Sequence, residues 1–84
     1  MINVALLGFG RIGQMHAQNI YLNKTLNLLY VYEKIDKLRK KAKNLYNCKI
    51  EKDYKKIFLD EKVDIIFIAS PTNTHIRFIE EGIK

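Results

Sequence analysis

Apolar and polar positions follow two different periods that alternate along the chain. Short continuous runs of apolar and β-branched residues predict strands buried on both faces, whereas apolar residues at three- and four-residue steps predict amphipathic helices. The predicted strands cover residues 2–7, 26–32, 48–50 and 63–69, and the predicted helices cover 11–22, 36–46, 54–59 and the segment from 74 onward. This alternation indicates an α/β fold, a Rossmann-type doubly wound parallel sheet truncated after about four strands.

The helical periods also predict which side chains face the sheet. The expected inward positions are Ile12, Met15, Asn19 and Ile20 in the first helix, Leu38, Ala42 and Leu45 in the second, Tyr54, Ile57 and Phe58 in the third, and Ile76, Ile79 and Ile83 in the fourth. Right-handed crossovers would place strands two and three on one side of strand one and strand four on the other. The loops after strands one and four then face each other across a crevice, which is the usual ligand site of such a sheet.

A glycine motif follows the first predicted strand directly. Gly8, Gly10 and Gly13 have the spacing G-x-G-x-x-G between a strand and a helix, which is typical of a dinucleotide-binding fingerprint. The first glycine permits a tight turn, the second lets backbone N–H groups approach a pyrophosphate, and the third lets helix and strand pack closely. The phosphates can then lie at the positive end of the helix. The predicted cofactor-binding residues of this loop are Gly8, Phe9, Gly10, Arg11, Ile12 and Gly13.

An acidic residue follows the second predicted strand. Glu33 lies 20 residues after Gly13, where a carboxylate can accept hydrogen bonds from both hydroxyls of an adenosine ribose. An acid at this position favours NAD, because the extra phosphate of NADP would meet a like charge. Two observations leave the alternative open. Glu33 can be a solvated charge at a strand end, and Lys34 and Lys37 could neutralise a ribose phosphate.

A polar loop follows the fourth predicted strand and would line the path to a nicotinamide. Its candidate cofactor-binding residues are Ala69, Ser70, Pro71, Thr72, Asn73 and His75. Thr72 and Asn73 have an alternative interpretation as caps of the following helix. His75 and His16 are more typical of ordinary packed histidines than of catalytic bases.

Composition and charge exclude several other classes of protein. The net charge of +6 would suit an anionic cofactor, but the lysines between 34 and 62 alternate with acids, so we expect no nucleic-acid binding. The single cysteine, Cys48, excludes an intramolecular disulfide and a multi-cysteine metal cage, and we expect no metal site. No apolar run approaches the roughly 20 residues that span a bilayer. The chain does not open with a basic start followed by a long apolar stretch and a small-residue cleavage site, so we expect no signal peptide. We therefore expect a cytoplasmic protein that does not bind membranes.

Taken together, these motifs resemble one enzyme family over all 84 residues. G-F-G-R-I-G-Q-M-H-A after a strand, the acid Glu33, and V-D-I-I-F-I-A-S-P-T-N-T-H are similar to the glucose-fructose oxidoreductase and inositol 2-dehydrogenase family (Gfo/Idh/MocA). The resemblance implies NAD(P)-linked oxidation or reduction of a sugar, polyol or related substrate by a homo-oligomer. By position, it assigns residues 9–12 to the pyrophosphate, Glu33 to the ribose, and residues 69–73 with His75 to the nicotinamide side.

The resemblance also implies that part of the enzyme lies outside this sequence. Members of the family carry a catalytic lysine in an E-K-P motif on the fifth strand and further substrate residues in a second domain. We therefore expect residues 1–84 to be an incomplete dinucleotide-binding domain of marginal stability, with no catalytic residue, no catalytic domain and no dehydrogenase activity of its own. The alternative is a stand-alone dinucleotide-binding or regulatory module without catalysis.

Overall fold

The structure, a computed structural model, describes residues 1–69 and contains the predicted alternation of strands and helices over that range. The elements are β1 (Ile2–Leu7), α1 (Arg11–Leu22), β2 (Leu26–Tyr32), α2 (Asp36–Tyr46), β3 (Lys49–Glu51), α3 (Tyr54–Phe58) and β4 (Ile65–Ile68). The predicted helix from residue 74, its apolar positions Ile76, Ile79 and Ile83, and the candidate site residues Ser70, Pro71, Thr72, Asn73 and His75 lie outside the described residues.

The four strands form one parallel sheet in the order β3-β2-β1-β4. β1 pairs with β2 on one side and with β4 on the other, so the predicted placement of strand four opposite strands two and three is confirmed. The carboxyl ends of β1, β2 and β4 therefore lie next to one another along one edge of the sheet. Loops that leave this edge are the ones that bind ligands in doubly wound folds.

Helices cover both faces of the sheet, as predicted for strands with continuous apolar runs. Side chains of β1 alternate between the two faces: Val4 and Leu6 lie on the face covered by α1 and α2, and Ala5 and Leu7 lie on the face covered by α3. The first cluster also contains Phe9, Ala17, Ile20, Leu28, Val31, Ala42 and Cys48, and the second also contains Tyr32, Tyr54 and Ile57. Burial of these two clusters is the main source of stability in the described part of the chain.

The predicted buried face of α1 is wrong in part. Ile12 and Met15 are each 62% exposed and Asn19 is exposed as well, whereas the residues that face the sheet are Gly13, Ala17 and the predicted Ile20. The physical reason is the short distance between α1 and β1, since only small side chains fit where the helix lies closest to the strand. The hydrophobic period depends on the polarity of side chains and not on their size, so it favoured the larger apolar residues on the neighbouring face of the helix.

Two further expectations of burial differ from the structure. Leu45 of α2 is 54% exposed, whereas Ala42 of the same helix is fully buried. β4 begins at Ile65, two residues later than predicted, because the N–H of Val63 donates to the carbonyl oxygen of Asp60 in a turn. The first three side chains of β4 are exposed, in contrast to the predicted burial of this strand on both faces.

Candidate functional site

The first glycine of the motif makes the turn between β1 and α1. Gly8 has a φ of 112°, a backbone conformation that side chains with a Cβ rarely adopt. Its N–H donates to the carbonyl oxygen of Tyr32 at 2.9 Å, which joins the glycine loop to the end of β2. This positive φ is the reason that the turn requires a glycine, as the sequence predicted.

The third glycine permits the close approach of α1 to the loop. A Cβ on Gly13 would lie 2.1 Å from the carbonyl oxygen of Gly8, far inside van der Waals contact. The same hypothetical Cβ would lie 3.7 Å from the Cβ of Ala69, whose N–H donates to the carbonyl oxygen of Leu7 at 2.8 Å. The structure therefore brings Ala69, at the end of β4, directly beside the glycine loop.

The second glycine has no such role within the chain. Gly10 has a φ of −74°, which any residue adopts, and a Cβ built there would meet no atom within 4 Å. Gly10 is also the N-cap of α1 and supplies no capping side chain, and the first turn holds no acidic residue. The first N–H groups of α1, at Arg11, Ile12 and Gly13, thus precede the helical hydrogen-bond ladder, and the helix dipole favours an anion at this end.

Phe9 lies within the motif but directs its side chain away from the loop surface. The ring is fully buried and contacts the ring of Tyr46 edge-on at 6.4 Å between centroids. The backbone of Phe9 is also engaged, because its N–H donates to Glu33 and its carbonyl oxygen accepts from Gln14. The predicted contact of Phe9 with a pyrophosphate is therefore not available to its side chain, whereas Arg11 and Ile12 are exposed.

Glu33 directly follows β2, and its carboxylate lies against the glycine loop. Oε1 accepts a hydrogen bond from the N–H of Phe9 at 2.9 Å, and Oε2 accepts one from the N–H of Ile35 at 3.1 Å. The backbone N–H of Glu33 donates to the carbonyl oxygen of Glu51. A carboxylate has about four acceptor positions, so each oxygen keeps the capacity to accept from one ribose hydroxyl.

Two residues that support this site were missed by the sequence analysis. Arg39 donates through Nη1 to the carbonyl oxygens of Glu33 and Lys34, and Gln14 joins the carbonyl oxygen of Phe9 to the Nζ of Lys41. Both lie on helices that flank the loops, and neither belongs to a recognised spacing. A signal was present for Gln14 alone, since it directly follows the last glycine of the motif.

The other residues considered from the sequence, His16 and Cys48, are packed against other parts of the chain. His16 packs against Phe67 with 4.6 Å between ring centroids, as expected for a packed histidine. Cys48 is buried, and this burial raises the pKa of its thiol, so it remains protonated and unreactive at neutral pH.

In the part of the chain that the structure describes, no group of three or more histidine, cysteine or acidic side chains could hold a metal ion. Over the same residues, no helix has the length and apolar character needed to cross a membrane.

Comparison with known proteins assigns the class of protein. The family described as "Oxidoreductase family, NAD-binding Rossmann fold" (GFO_IDH_MocA) matches residues 2–84. The chain therefore belongs to the Gfo/Idh/MocA family of oxidoreductases and carries its NAD-binding Rossmann fold.

Similar proteins within this family are inositol dehydrogenases. Myo-inositol 2-dehydrogenase of Thermotoga maritima is 31% identical over 80 residues, which is 93% of this chain and 24% of that protein. Inositol 2-dehydrogenase of Rhizobium meliloti is 29% identical over 79 residues, 94% of this chain and 24% of its own length. The chain thus spans about a quarter of the length of the curated relatives it matches.

Solved structures give the same result. The scyllo-inositol dehydrogenase of Lactobacillus casei, with bound NAD(H) and scyllo-inositol, matches with a TM-score of 0.90 at 25% identity, over 99% of this chain and 25% of that one. The myo-inositol dehydrogenase of Corynebacterium glutamicum matches with a TM-score of 0.89 at 29% identity, with the same coverage of 99% and 25%. The predicted Rossmann fold, the NAD(P)-binding role and the resemblance to inositol dehydrogenases are confirmed.

Proposed function

We propose that this chain binds NAD in preference to NADP, as the cofactor-binding part of a dehydrogenase that oxidises a cyclic polyol. The observation that carries the proposal is the position of the Glu33 carboxylate, which two backbone N–H groups hold beside the glycine loop. A fixed negative charge there accepts hydrogen bonds from ribose hydroxyls and repels a ribose phosphate.

The pyrophosphate would lie at the start of α1. Open space around Gly10 allows close approach to the backbone, and the uncapped N–H groups of the first turn supply donors without a competing acid. The described residues therefore fit an anionic dinucleotide at this position. Gly8 and Gly13 act indirectly, because they fix the turn and the position of the helix.

The nicotinamide would lie towards the end of β4. Ala69 supports this direction because it lies beside Gly13 at the same edge of the sheet. We extend the proposal from the sequence to Ser70, Pro71, Thr72, Asn73 and His75, which follow Ala69 along the chain. A bound nicotinamide cofactor supplies the acceptor for a hydride from a hydroxyl-bearing carbon, and the role of this loop would be to orient that ring.

The polyol substrate is proposed from the relatives alone. Several similar proteins are named as inositol dehydrogenases, and one was solved with scyllo-inositol and NAD(H) bound. In such a reaction the described residues of this chain would bind the cofactor. A group that accepts the hydroxyl proton must lie within hydrogen-bond reach of the substrate, and we assign none among residues 1–69.

Isothermal titration of the chain with NAD⁺ and NADP⁺ tests the proposed cofactor. We expect saturable binding of NAD⁺ and weaker binding of NADP⁺, and tighter binding of NADP⁺ would overturn the preference. NADH formation with myo-inositol, scyllo-inositol and a panel of sugars tests whether the chain turns over a substrate of this class. No turnover is expected of residues 1–84 alone, whereas turnover of one of these compounds would support the substrate class directly and overturn the expectation that the chain has no activity of its own.

A further inference from the structure

An arginine on α2, Arg39, binds the loop that carries Glu33. Nη1 of Arg39 donates to the carbonyl oxygen of Glu33 at 2.7 Å and to that of Lys34 at 2.8 Å. Nη2 donates to Oδ1 of Asp36 at 3.1 Å, and the side chain is only 14% exposed. The guanidinium group thus binds three acceptors that all lie between the end of β2 and the start of α2.

These bonds complete the fixation of Glu33. Its backbone N–H is held by Glu51, its carboxylate by the N–H groups of Phe9 and Ile35, and its carbonyl oxygen by Arg39. The bond to the carbonyl oxygen of Lys34 also fixes the peptide plane between Lys34 and Ile35. A rotation of that plane would move the N–H of Ile35 away from Oε2 and release one side of the carboxylate.

The planar guanidinium is suited to this task in a way that an ammonium group is not. Arginine presents several N–H donors in a fixed plane, so one group can serve two carbonyl oxygens and a carboxylate with defined geometry. A lysine at the same position would keep the positive charge but would lack this fixed arrangement of donors.

An arginine close to the ribose end of a Rossmann site has a well-known alternative role, in which it accommodates the additional phosphate of NADP. The two roles predict changes of opposite sign. Removing a phosphate-binding arginine would weaken NADP⁺ most and raise the preference for NAD⁺. Removing a residue that positions Glu33 would weaken NAD⁺ most and lower that preference.

We propose that Arg39 is a positioning residue that sets the discrimination between NAD and NADP by holding the Glu33 loop, without itself contacting the cofactor. This inference rests on the proposed NAD site. Three of the five N–H donors of Arg39 are already used within the chain and its side chain is only 14% exposed, so a ribose phosphate could reach only the remaining N–H groups of a largely buried guanidinium group.

The test measures the dissociation constants of NAD⁺ and NADP⁺ for the wild-type chain, Arg39→Met, Arg39→Lys and Lys40→Met, each pair of constants on one preparation. We expect Arg39→Met to lower the preference for NAD⁺ over NADP⁺ by about tenfold, mainly through weaker NAD⁺ binding. Lys40→Met is the matched control, because Lys40 also pairs with Asp36, at 3.1 Å, but makes no bond to the loop carbonyls. Its preference should equal that of the wild type.

Arg39→Lys separates geometry from charge and serves if Arg39→Met fails to fold. If Arg39 acts by positioning Glu33, Arg39→Lys should lose most of the preference for NAD⁺ over NADP⁺. If Arg39 acts only through its charge, Arg39→Lys should retain the wild-type ratio of the two dissociation constants. An unchanged ratio in both Arg39 variants, or a ratio that rises, would overturn this inference while NAD⁺ binding by the wild type still supported the proposed function. Absence of NAD⁺ binding by the wild-type chain would overturn the proposed function and, with it, this role of Arg39.

Discussion

The N–H of Phe9 donates to Oε1 of Glu33 at 2.9 Å, and this hydrogen bond joins the glycine loop to the end of β2. The two residues are 24 positions apart in the sequence and come together because β1 and β2 are parallel neighbours. The acid proposed to bind the ribose is therefore also a structural part of the loop proposed to bind the pyrophosphate. Changes at Glu33 should affect both.

Glu33→Gln should weaken NAD⁺ binding and reduce the preference for NAD⁺ over NADP⁺. The amide keeps one oxygen acceptor but replaces the other with a donor, so it cannot accept from both backbone N–H groups. Hydrogen bonds to a charged group contribute about 1.5–3 kcal/mol, so the loss in affinity should be roughly tenfold to a hundredfold. Titration calorimetry measures it, and Glu61→Gln, at an exposed site, is the control. Equal NAD⁺ affinity in the wild type and Glu33→Gln would remove Glu33 from the site.

Gly10→Ala should fold like the wild type but bind NAD⁺ poorly. The backbone φ of −74° accepts an alanine and no atom of the chain lies within 4 Å of the new Cβ, so nothing in the protein opposes it. The methyl group would instead occupy space proposed for the pyrophosphate, and the bulkier Gly10→Val should be worse. Thermal unfolding and NAD⁺ titration are measured together. Wild-type affinity in Gly10→Val would show that the loop is only a turn.

Gly13→Ala, unlike Gly10→Ala, should reduce the stability of the fold. The added Cβ would lie 2.1 Å from the carbonyl oxygen of Gly8, a backbone atom, so either the turn or α1 would have to shift. Overpacking of this kind costs about 1–3 kcal/mol, which exceeds the gain of about 1 kcal/mol from replacing glycine within a helix. Urea unfolding should show a lower midpoint with an unchanged slope. A variant as stable as Gly10→Ala would contradict the close packing at Gly13.

The hydrogen bond between Tyr30 and Asp60 should make stability depend on pH at both extremes. The Tyr30 hydroxyl donates to Asp60 at 2.6 Å, and this bond, followed by burial and nearby acids, raises the pKa of Tyr30 from 10.0 to about 12. The same bond is the main reason that the pKa of Asp60 lies below its usual value of 3.8. A raised tyrosine pKa stabilises the fold below pH 10 and loses this effect towards pH 12, whereas a lowered aspartate pKa stabilises it above 3.8 and loses this effect in acid.

The comparison of wild type with Tyr30→Phe isolates this pair. The difference in their free energies of unfolding should be constant from about pH 5 to 9 and should shrink on either side. A difference that stays constant through pH 9 to about 12 would show that the hydrogen bond does not control the titration of Tyr30.

The order of elements and the sheet were predictable from the sequence because they depend on period and on crossover handedness. The roles of Gly8 and Gly13 were predictable because the motif has a steric meaning. The inward face of α1 was not, since the distance between helix and sheet, set by Gly13, decides which side chains fit. The contact of Phe9 with Glu33 and the part played by Arg39 also could not be predicted, because they join loops through backbone groups that leave no trace in residue type.

The most direct test of the proposed site is an NMR titration of the ¹⁵N-labelled chain with NAD⁺. We expect saturable changes in the amide signals of residues 8–13 at the start of α1, of residues 33–35 after β2, and of Ala69, with little change in α3. Changes confined to the groove between α1 and α2 that Tyr21, Leu45 and Tyr46 line would contradict the proposed site. An absence of change at millimolar NAD⁺ would contradict the proposed site as well.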